Sequence, residues 1–277
     1  MNVLSLFDGM SCGQIALNRS KIKYNQYYAS EIDSKAIRIA QKNYPGTIQL
    51  GDVLTIKAKD LPKIDLLIGG SPCQGFSNAG QGLNFDDPRS KLFFEFVRLL
   101  KECKPKYFLL ENVYMKKEWQ DVISMHLNCN PIMINSALVS AQNRKRLYWT
   151  HIPNITQPQD KSIFIKDILQ HPSVVESKYD LSKQALIKLS KYKKAHIPTG
   201  KTPTLTTELA HSTGYNFYPV FLKETGLKRR LTPIEVERLQ TVPDDYTAGV
   251  ADTHRYRMLG NGWTVDVIAH IFKNIVC

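Results

Sequence analysis

Cys73 stands in Ser71-Pro72-Cys73-Gln74, just past the apolar run 65–68. A thiol at the head of a polar, glycine-rich loop that runs on to Pro88 suits nucleophilic attack, and such a loop suits a lid. Glu111 closes the apolar run 106–110 in the same manner. A cysteine and a glutamate side by side above a sheet fit covalent attack assisted by an acid. Cys12, Cys103, Cys129 and Cys277 carry no such context and read as small buried hydrophobes.

A second group of residues suits a ligand. Phe7-Asp8-Gly9-Met10-Ser11-Cys12-Gly13 joins a short apolar run to a helical pattern. Glycines there let backbone approach a ligand, and the helix start presents unpaired N–H groups; alone, the segment would serve equally as a tight turn. Glu31 follows the next strand pattern, 22 residues after Gly9, where an acid commonly takes ribose hydroxyls. Asp52, at the expected end of a third strand, could accept from an adenine amino group. Three such features at consecutive strand ends point to an adenosyl cofactor. The lack of a phosphate-type glycine loop favours S-adenosylmethionine over a dinucleotide. The basic run Gln142-Asn143-Arg144-Lys145-Arg146 fits a solvated turn. It also fits a strand whose two arginines, two apart, face one site.

Elements that would hold these residues can be read from periodicity. Strands are expected at 3–6, 27–29, 65–68, 106–110, 132–134 and 147–149, alternating with helices that include one from Ser34, which would cap it, and one over 90–103. This alternation predicts a doubly wound parallel α/β sheet, which binds ligands beyond the C-terminal strand ends. Residues 152–228 are irregular, apart from a helix near 183–192. Thr232-Pro233-Ile234-Glu235 carries a capping box with proline at the first helical position. A last helix follows Gly260-Asn261-Gly262-Trp263. We therefore expect a core over 1–151, a small region over 152–228 and a return to the core over 229–277.

Composition agrees. The chain has 277 residues, 37 Lys+Arg against 25 Asp+Glu, a net charge of +12 and 43% hydrophobic residues. This excludes disordered, collagenous and membrane-spanning classes. Five cysteines without a Cys-x-x-Cys pair argue against a disulfide framework or zinc cluster and for a cytoplasmic setting. Between Arg144 and Arg230 lie 16 basic and 6 acidic residues, a net +10; the other 190 residues carry +2. A localised basic block suits a polyanion.

In order, these segments resemble the motifs of the cytosine-C5 DNA methyltransferases. Phe7-Asp8-Gly9, Glu31 and Asp52 resemble the first three motifs, Pro72-Cys73-Gln74 the catalytic one, Glu111-Asn112-Val113 the sixth and Gln142 to Arg146 the eighth. Arg230-Leu231-Thr232-Pro233 through Gln240 resembles the ninth and Gly260-Asn261-Gly262 the tenth. The segments 89–96 and 130–134, with Trp263, resemble the catalytic domain of the mammalian de novo enzymes, in a compact form that looks bacterial or viral.

The resemblance implies a class I, Rossmann-like, seven-stranded methyltransferase fold. It implies methyl transfer from S-adenosylmethionine to C5 of a flipped-out cytosine in duplex DNA, leaving S-adenosylhomocysteine and needing no metal. Cys73 would attack C6, Glu111 would hold and protonate N3, and Arg144 and Arg146 would orient the base. Phe7, Asp8, Gly9, Met10, Cys12, Glu31, Ile32, Asp52, Val53, Asn261, Gly262 and Trp263 would hold the cofactor, with Phe7 and Trp263 flanking adenine. Gln74, Ser77, Arg89, Thr204, Thr206, Thr207, Lys228, Arg229 and Arg230 would meet DNA. The lysines from 183 to 201 suit phosphates or a solvated face equally. A cognate restriction endonuclease is a further expected partner. Two alternatives differ in class: an inactive DNA-binding relative, against which Cys73 and Glu111 are both present, and a tRNA enzyme, whose Cys-Phe-Thr motif is absent.

Overall fold

The computed structural model describes residues 1–71, 91–184, 187, 200–207, 220–221 and 228–276. It divides into two compact units: residues 1–135, 145–157 and 266–277, and residues 136–144 and 158–265.

The first unit is a seven-stranded sheet. Its strands are β1 (Asn2–Leu6), β2 (Gln26–Ser30), β3 (Ile48–Gln49), β4 (Leu66–Gly70), β5 (Tyr107–Val113), β6 (Ile132–Asn135) and β7 (Lys145–Thr150). Their spatial order is β3-β2-β1-β4-β5-β7-β6. Strands β1 to β5 pair in parallel, while β7 runs antiparallel to both β5 and β6. The chain reverses its direction of growth between β1 and β4, which makes the rim above them the switch point. Helices α1 (Cys12–Arg19), α2 (Ser34–Asn43), α3 (Lys91–Cys103) and α4 (Lys117–Leu127) form the crossovers between parallel strands, and α8 (Val265–Phe272) follows the second unit.

Local sequence explains these elements. The run Leu66-Leu67-Ile68 is fully buried, as a central parallel strand requires. Helix α3 buries Phe93, Phe96, Val97 and Leu99 against the cluster that holds Phe108, Leu110 and Trp149. Gly13 allows α1 to lie close on the sheet: a Cβ there would come within 2.5 Å of Ile68 Cδ1 and 2.6 Å of the Tyr27 hydroxyl. Helix α2 is capped by Asp33 rather than Ser34; the Asp33 carboxylate accepts from the Lys35 N–H at 2.9 Å. An aspartate one position earlier completes the same bond that serine was expected to make.

Among its described residues the second unit has few ladders. It contains α5 (Ile165–Ile168), α6 (Pro233–Leu239), α7 (Asp252–Asn261) and the short pair β8 (Val220–Phe221) and β9 (Lys228–Arg229). The Thr232–Glu235 capping box forms as expected, with Pro233 at its start. The unit is joined by buried side chains. Arg229 makes a two-pronged ion pair with Glu235 at 2.7 and 2.8 Å, and Glu235 also accepts from the Gln170 and Thr232 N–H groups. Glu237 accepts from the Asp245 and Thr247 N–H groups and from Arg255. These bonds tie α6 and α7 to residues 158–230, so only 266–277 group with the sheet, whereas the return was expected at 229. The expected helix at 183–192 falls mostly outside the described residues.

Candidate active site

In the first unit the parallel strands deliver their following residues to one rim. The turn after β1 is conformationally demanding. Phe7, Gly9 and Ser11 have φ of 57°, 58° and 68°. For non-glycine residues this region costs about 1–2 kcal/mol each. At Gly9 a Cβ would meet nothing within 4 Å, so glycine answers to the dihedral angle and not to space. Three bonds hold the turn: Asp8 N–H to Ser30 O at 3.0 Å, Ser11 N–H to Asp8 O at 3.0 Å, and Gly9 N–H to Glu31 Oε2 at 2.7 Å.

Glu31 is therefore a latch as well as a strand-end acid. Its Oε1 accepts from the Ile32 and Asp33 N–H groups, both at 2.8 Å. Asp8 receives the Tyr27 hydroxyl at 2.7 Å. Burial pushes the Asp8 carboxyl up from 3.8 to about 6, against lowering by bonds with Ser5, Tyr27 and Ser11. Burial likewise raises the Tyr27 hydroxyl well above its ordinary value.

Asp52 does not end β3, which stops at Gln49. It caps the short 3-10 turn 53–55 instead, with Oδ1 accepting from Leu54 N–H at 3.0 Å. Ile32, just after Glu31, is 76% exposed, and Leu54, two residues after Asp52, is 58% exposed. Each acid thus has a large apolar side chain in solvent within two residues of it. Met10, Cys12 and Val53 are buried.

Glu111 lies beside Gly70 in the β4–β5 register, one residue before Ser71. The Asn112 side-chain amide donates to Ser71 Oγ at 3.1 Å, fixing the exit from β4 against β5. Across the β5–β7 pair Glu111 faces Tyr148 and Val113 faces Arg146. Arg146 is thus the diagonal neighbour of Glu111 on one face. Its Nε lies 2.9 Å from Glu111 Oε1, and both side chains are nearly buried. A charged pair held out of solvent at a parallel-sheet rim can orient and polarise a bound heterocycle. Cys73, Gln74, Ser77 and Arg89 lie outside the described residues.

In the second unit, Arg144 precedes β7 and does not belong to it. Its guanidinium donates to the carbonyls of Leu205 at 3.0 Å, Gly260 at 3.1 Å and Gly262 at 3.0 Å. The expectation that Arg144 and Arg146 share a strand face is therefore corrected: the strand begins at Lys145, and buried carbonyls take up Arg144. Arg229 and Lys201 are likewise engaged inside. Arg229 is paired with Glu235, and the Lys201 ammonium donates to Ser140 O at 3.1 Å, to Ile163 O at 3.0 Å and to Ala137 O. Neither presents a charge for phosphate in this conformation. Arg230 is part exposed and donates to Lys178 O at 3.1 Å. Thr204 and Thr206 are partly exposed and Thr207 is exposed. Asn261 is exposed and Gly262 partly so, while Trp263 is buried. Gln142 and Gln240, absent from the expected site, are buried polar centres of this unit; Gln142 was in view only as part of the basic run.

Among the described residues no cluster of His, Cys, Asp or Glu could hold a metal, and no helix is long and apolar enough to cross a membrane.

Comparison with known proteins gives the family and the fold. The chain is 30% identical over 305 residues to the type II methyltransferase M1.ScrFI of Lactococcus lactis subsp. cremoris, covering 99% of this chain and 77% of that protein. It is 29% identical over 300 residues to the type II methyltransferase M.NlaX of Neisseria lactamica, covering 99% and 95%. In fold it resembles the Entamoeba histolytica methyltransferase EhMeth, with a TM-score of 0.84 at 20% identity over 99% of this chain and 97% of that one. A Spodoptera frugiperda DNMT2 variant gives a TM-score of 0.77 at 20% identity, covering 99% and 98%. The sequence model of the C-5 cytosine-specific DNA methylases matches residues 1–277, and the chain therefore belongs to that family, as a DNA cytosine-5 methyltransferase.

Proposed function

We propose that the chain methylates C5 of a cytosine flipped out of duplex DNA, through a covalent bond between Cys73 and C6. The observation that carries this reading is the Glu111–Arg146 pair, enclosed at the rim beside the strand that leads to Cys73. Cys73, as thiolate, adds to C6, and its electron pair pushes density through the ring toward N3. Glu111 supplies a proton to N3, and Arg146 holds the Glu111 carboxyl in place and supports the developing charge. This makes C5 nucleophilic. After methylation, loss of the C5 proton returns an electron pair that expels Cys73 as thiolate. The C5 proton passes to water and N3 returns its proton to Glu111, so the unmodified enzyme and 5-methylcytosine result and atoms and charge balance.

S-adenosylmethionine, when bound, supplies the electrophilic methyl group and leaves as S-adenosylhomocysteine. The first unit's rim fits it. Glu31 accepts three backbone N–H bonds, and a carboxylate has about four acceptor positions, so capacity remains for a ribose hydroxyl. The exposed Ile32 and Leu54 suit an apolar ring, and Asp52 suits its amino group. Phe7, Asp8, Gly9, Met10, Cys12, Val53, Asn261, Gly262 and Trp263 are also proposed to hold it. Thr204, Thr206, Thr207, Lys228 and Arg230, with Gln74, Ser77 and Arg89, remain proposed DNA contacts. The type II designation of the relatives favours a cognate restriction endonuclease as partner.

The test is transfer of radiolabelled methyl to mixed-sequence duplex DNA, followed by bisulfite sequencing. The expected result is label confined to cytosines within one short site and lost in Cys73→Ala. Transfer to no duplex, or undiminished transfer by Cys73→Ala, would contradict the reading.

A further inference from the structure

The segment resembling the eighth motif grips the segment 202–205. Thr202 N–H donates to Ala141 O and Asn143 N–H donates to Thr202 O, both at 2.7 Å. The Thr204 hydroxyl donates to Asn143 O at 2.7 Å. Leu205 is then held at both ends: its N–H donates to Gln142 Oε1 at 2.9 Å, and its carbonyl accepts from Arg144 at 3.0 Å. Gln142 and Arg144 are themselves buried. Gln142 is braced by Leu239 O and Gln240, and the second arm of Arg144 by the carbonyls of Gly260 and Gly262. Gly260 then abuts the next residues. A Cβ there would lie 2.6 Å from the Thr206 carbonyl carbon and 2.7 Å from Thr207 N.

We propose that Gln142 and Arg144 are positioning residues for duplex recognition: by holding Leu205 at its N–H and C=O they set where Thr204, Thr206 and Thr207 stand. The proposal rests on the reading that these threonines meet DNA. It moves Arg144 from the reacting base to the recognition segment and leaves Arg146 with Glu111. One arm of the arginine fork takes the Leu205 carbonyl and the other the Gly260 and Gly262 carbonyls; a lysine's three donors sit on one atom and would keep fewer of these bonds at the present spacing.

The experiment uses the whole enzyme with Arg144→Lys and, independently, Gly260→Ala, whose methyl would push on the Thr206 backbone. Four quantities are read: KM for duplex, discrimination between the methylated site and the same site with one base changed, kcat at saturating duplex, and S-adenosylhomocysteine Kd without DNA. Both variants are expected to raise the duplex KM about tenfold, since the contacts of a mispositioned segment are weakened. They should also narrow discrimination, with kcat within about twofold of the parent, a change near the noise of such comparisons; because Arg144 also holds the Gly262 carbonyl beside the proposed cofactor residues, S-adenosylhomocysteine Kd should rise by less than the duplex KM. A collapse of kcat in Arg144→Lys with KM and discrimination unchanged would overturn the proposal and return Arg144 to the base. A parallel loss of all four quantities with a lowered Tm in both variants would also overturn it, in favour of a general folding role. If the unaltered enzyme transfers no methyl to any duplex, the functional reading itself has failed, which this control separates from the other outcomes.

Discussion

The largest fully buried side chains of the first unit include Trp149, Tyr27, Tyr148, Phe93, Phe96, Phe108 and Phe272; of its buried polar groups, Ser30, Ser71, Glu111 and Asn112 lie toward strand ends, while Gln14 of α1 bonds with Ser11 and Thr47. In the second unit, Gln142, Arg144, Arg229, Glu235, Glu237 and Gln240 are buried together. The sheet satisfies its own backbone, so its core can be apolar and its rim is left for chemistry. Among its described residues the second unit has few ladders, and backbone N–H and C=O groups there turn to side chains instead. Polar residues therefore mean different things in the two regions: reaction at the rim, architecture in the second unit.

Substitutions can break that distinction. Glu111→Gln removes the acid at the rim and keeps its shape; methyl transfer should fall by about a thousandfold or more, with Tm little changed. A large fall in Tm would put Glu111 on the architectural side. Glu235→Ala strands the buried Arg229 guanidinium and should destabilise by about 3–5 kcal/mol. Chemical denaturation would read this, and an effect below about 1 kcal/mol, the value of an exposed pair, would show that the pair is not buried in solution. The double change Arg229→Met with Glu235→Leu should recover much of the loss, because no charge is left unpaired.

A smaller effect concerns Asp8. Its carboxyl titrates near 6 in the fold against 3.8 when exposed, so the folded state holds the proton more tightly. Its contribution to stability is complete below about pH 4 and disappears as pH rises through about 6. Denaturation at a series of pH values should show a decline over that window which Asp8→Asn flattens. An unchanged profile in Asp8→Asn would assign the decline elsewhere.

Much of the first unit was legible because its signals are local. Apolar runs marked the strands, and Gly9 and Glu31 fell just past strand ends, whereas Glu111, expected to close its strand, lies within β5, which runs on to Val113. Asp52 was misplaced by three residues because β3 is only two residues long, too short for alternation to mark its end. The capping box at Thr232 was legible for the same local reason. Arg144 was not: two arginines two apart share a face only if both lie in the strand, and Arg144, just before β7, is taken up by carbonyls far along the chain at Leu205, Gly260 and Gly262. The same holds for Arg229 and Lys201. A positive charge in sequence suggests a phosphate partner, yet a buried carboxylate or three carbonyls far along the chain can claim it first. The basic block is thus partly internal, which lowers the number of cations open to DNA and hence the salt dependence expected of binding.

The central claim is that Cys73 bonds to the target base. Duplex DNA with 5-fluorocytosine at the methylated position tests it most directly, because fluorine at C5 blocks the final elimination. Incubation with S-adenosylmethionine, denaturation and peptide mass analysis should give a denaturation-stable adduct on the peptide containing Cys73. Methylation of ordinary duplex together with no adduct, or with an adduct on another residue, would contradict the account.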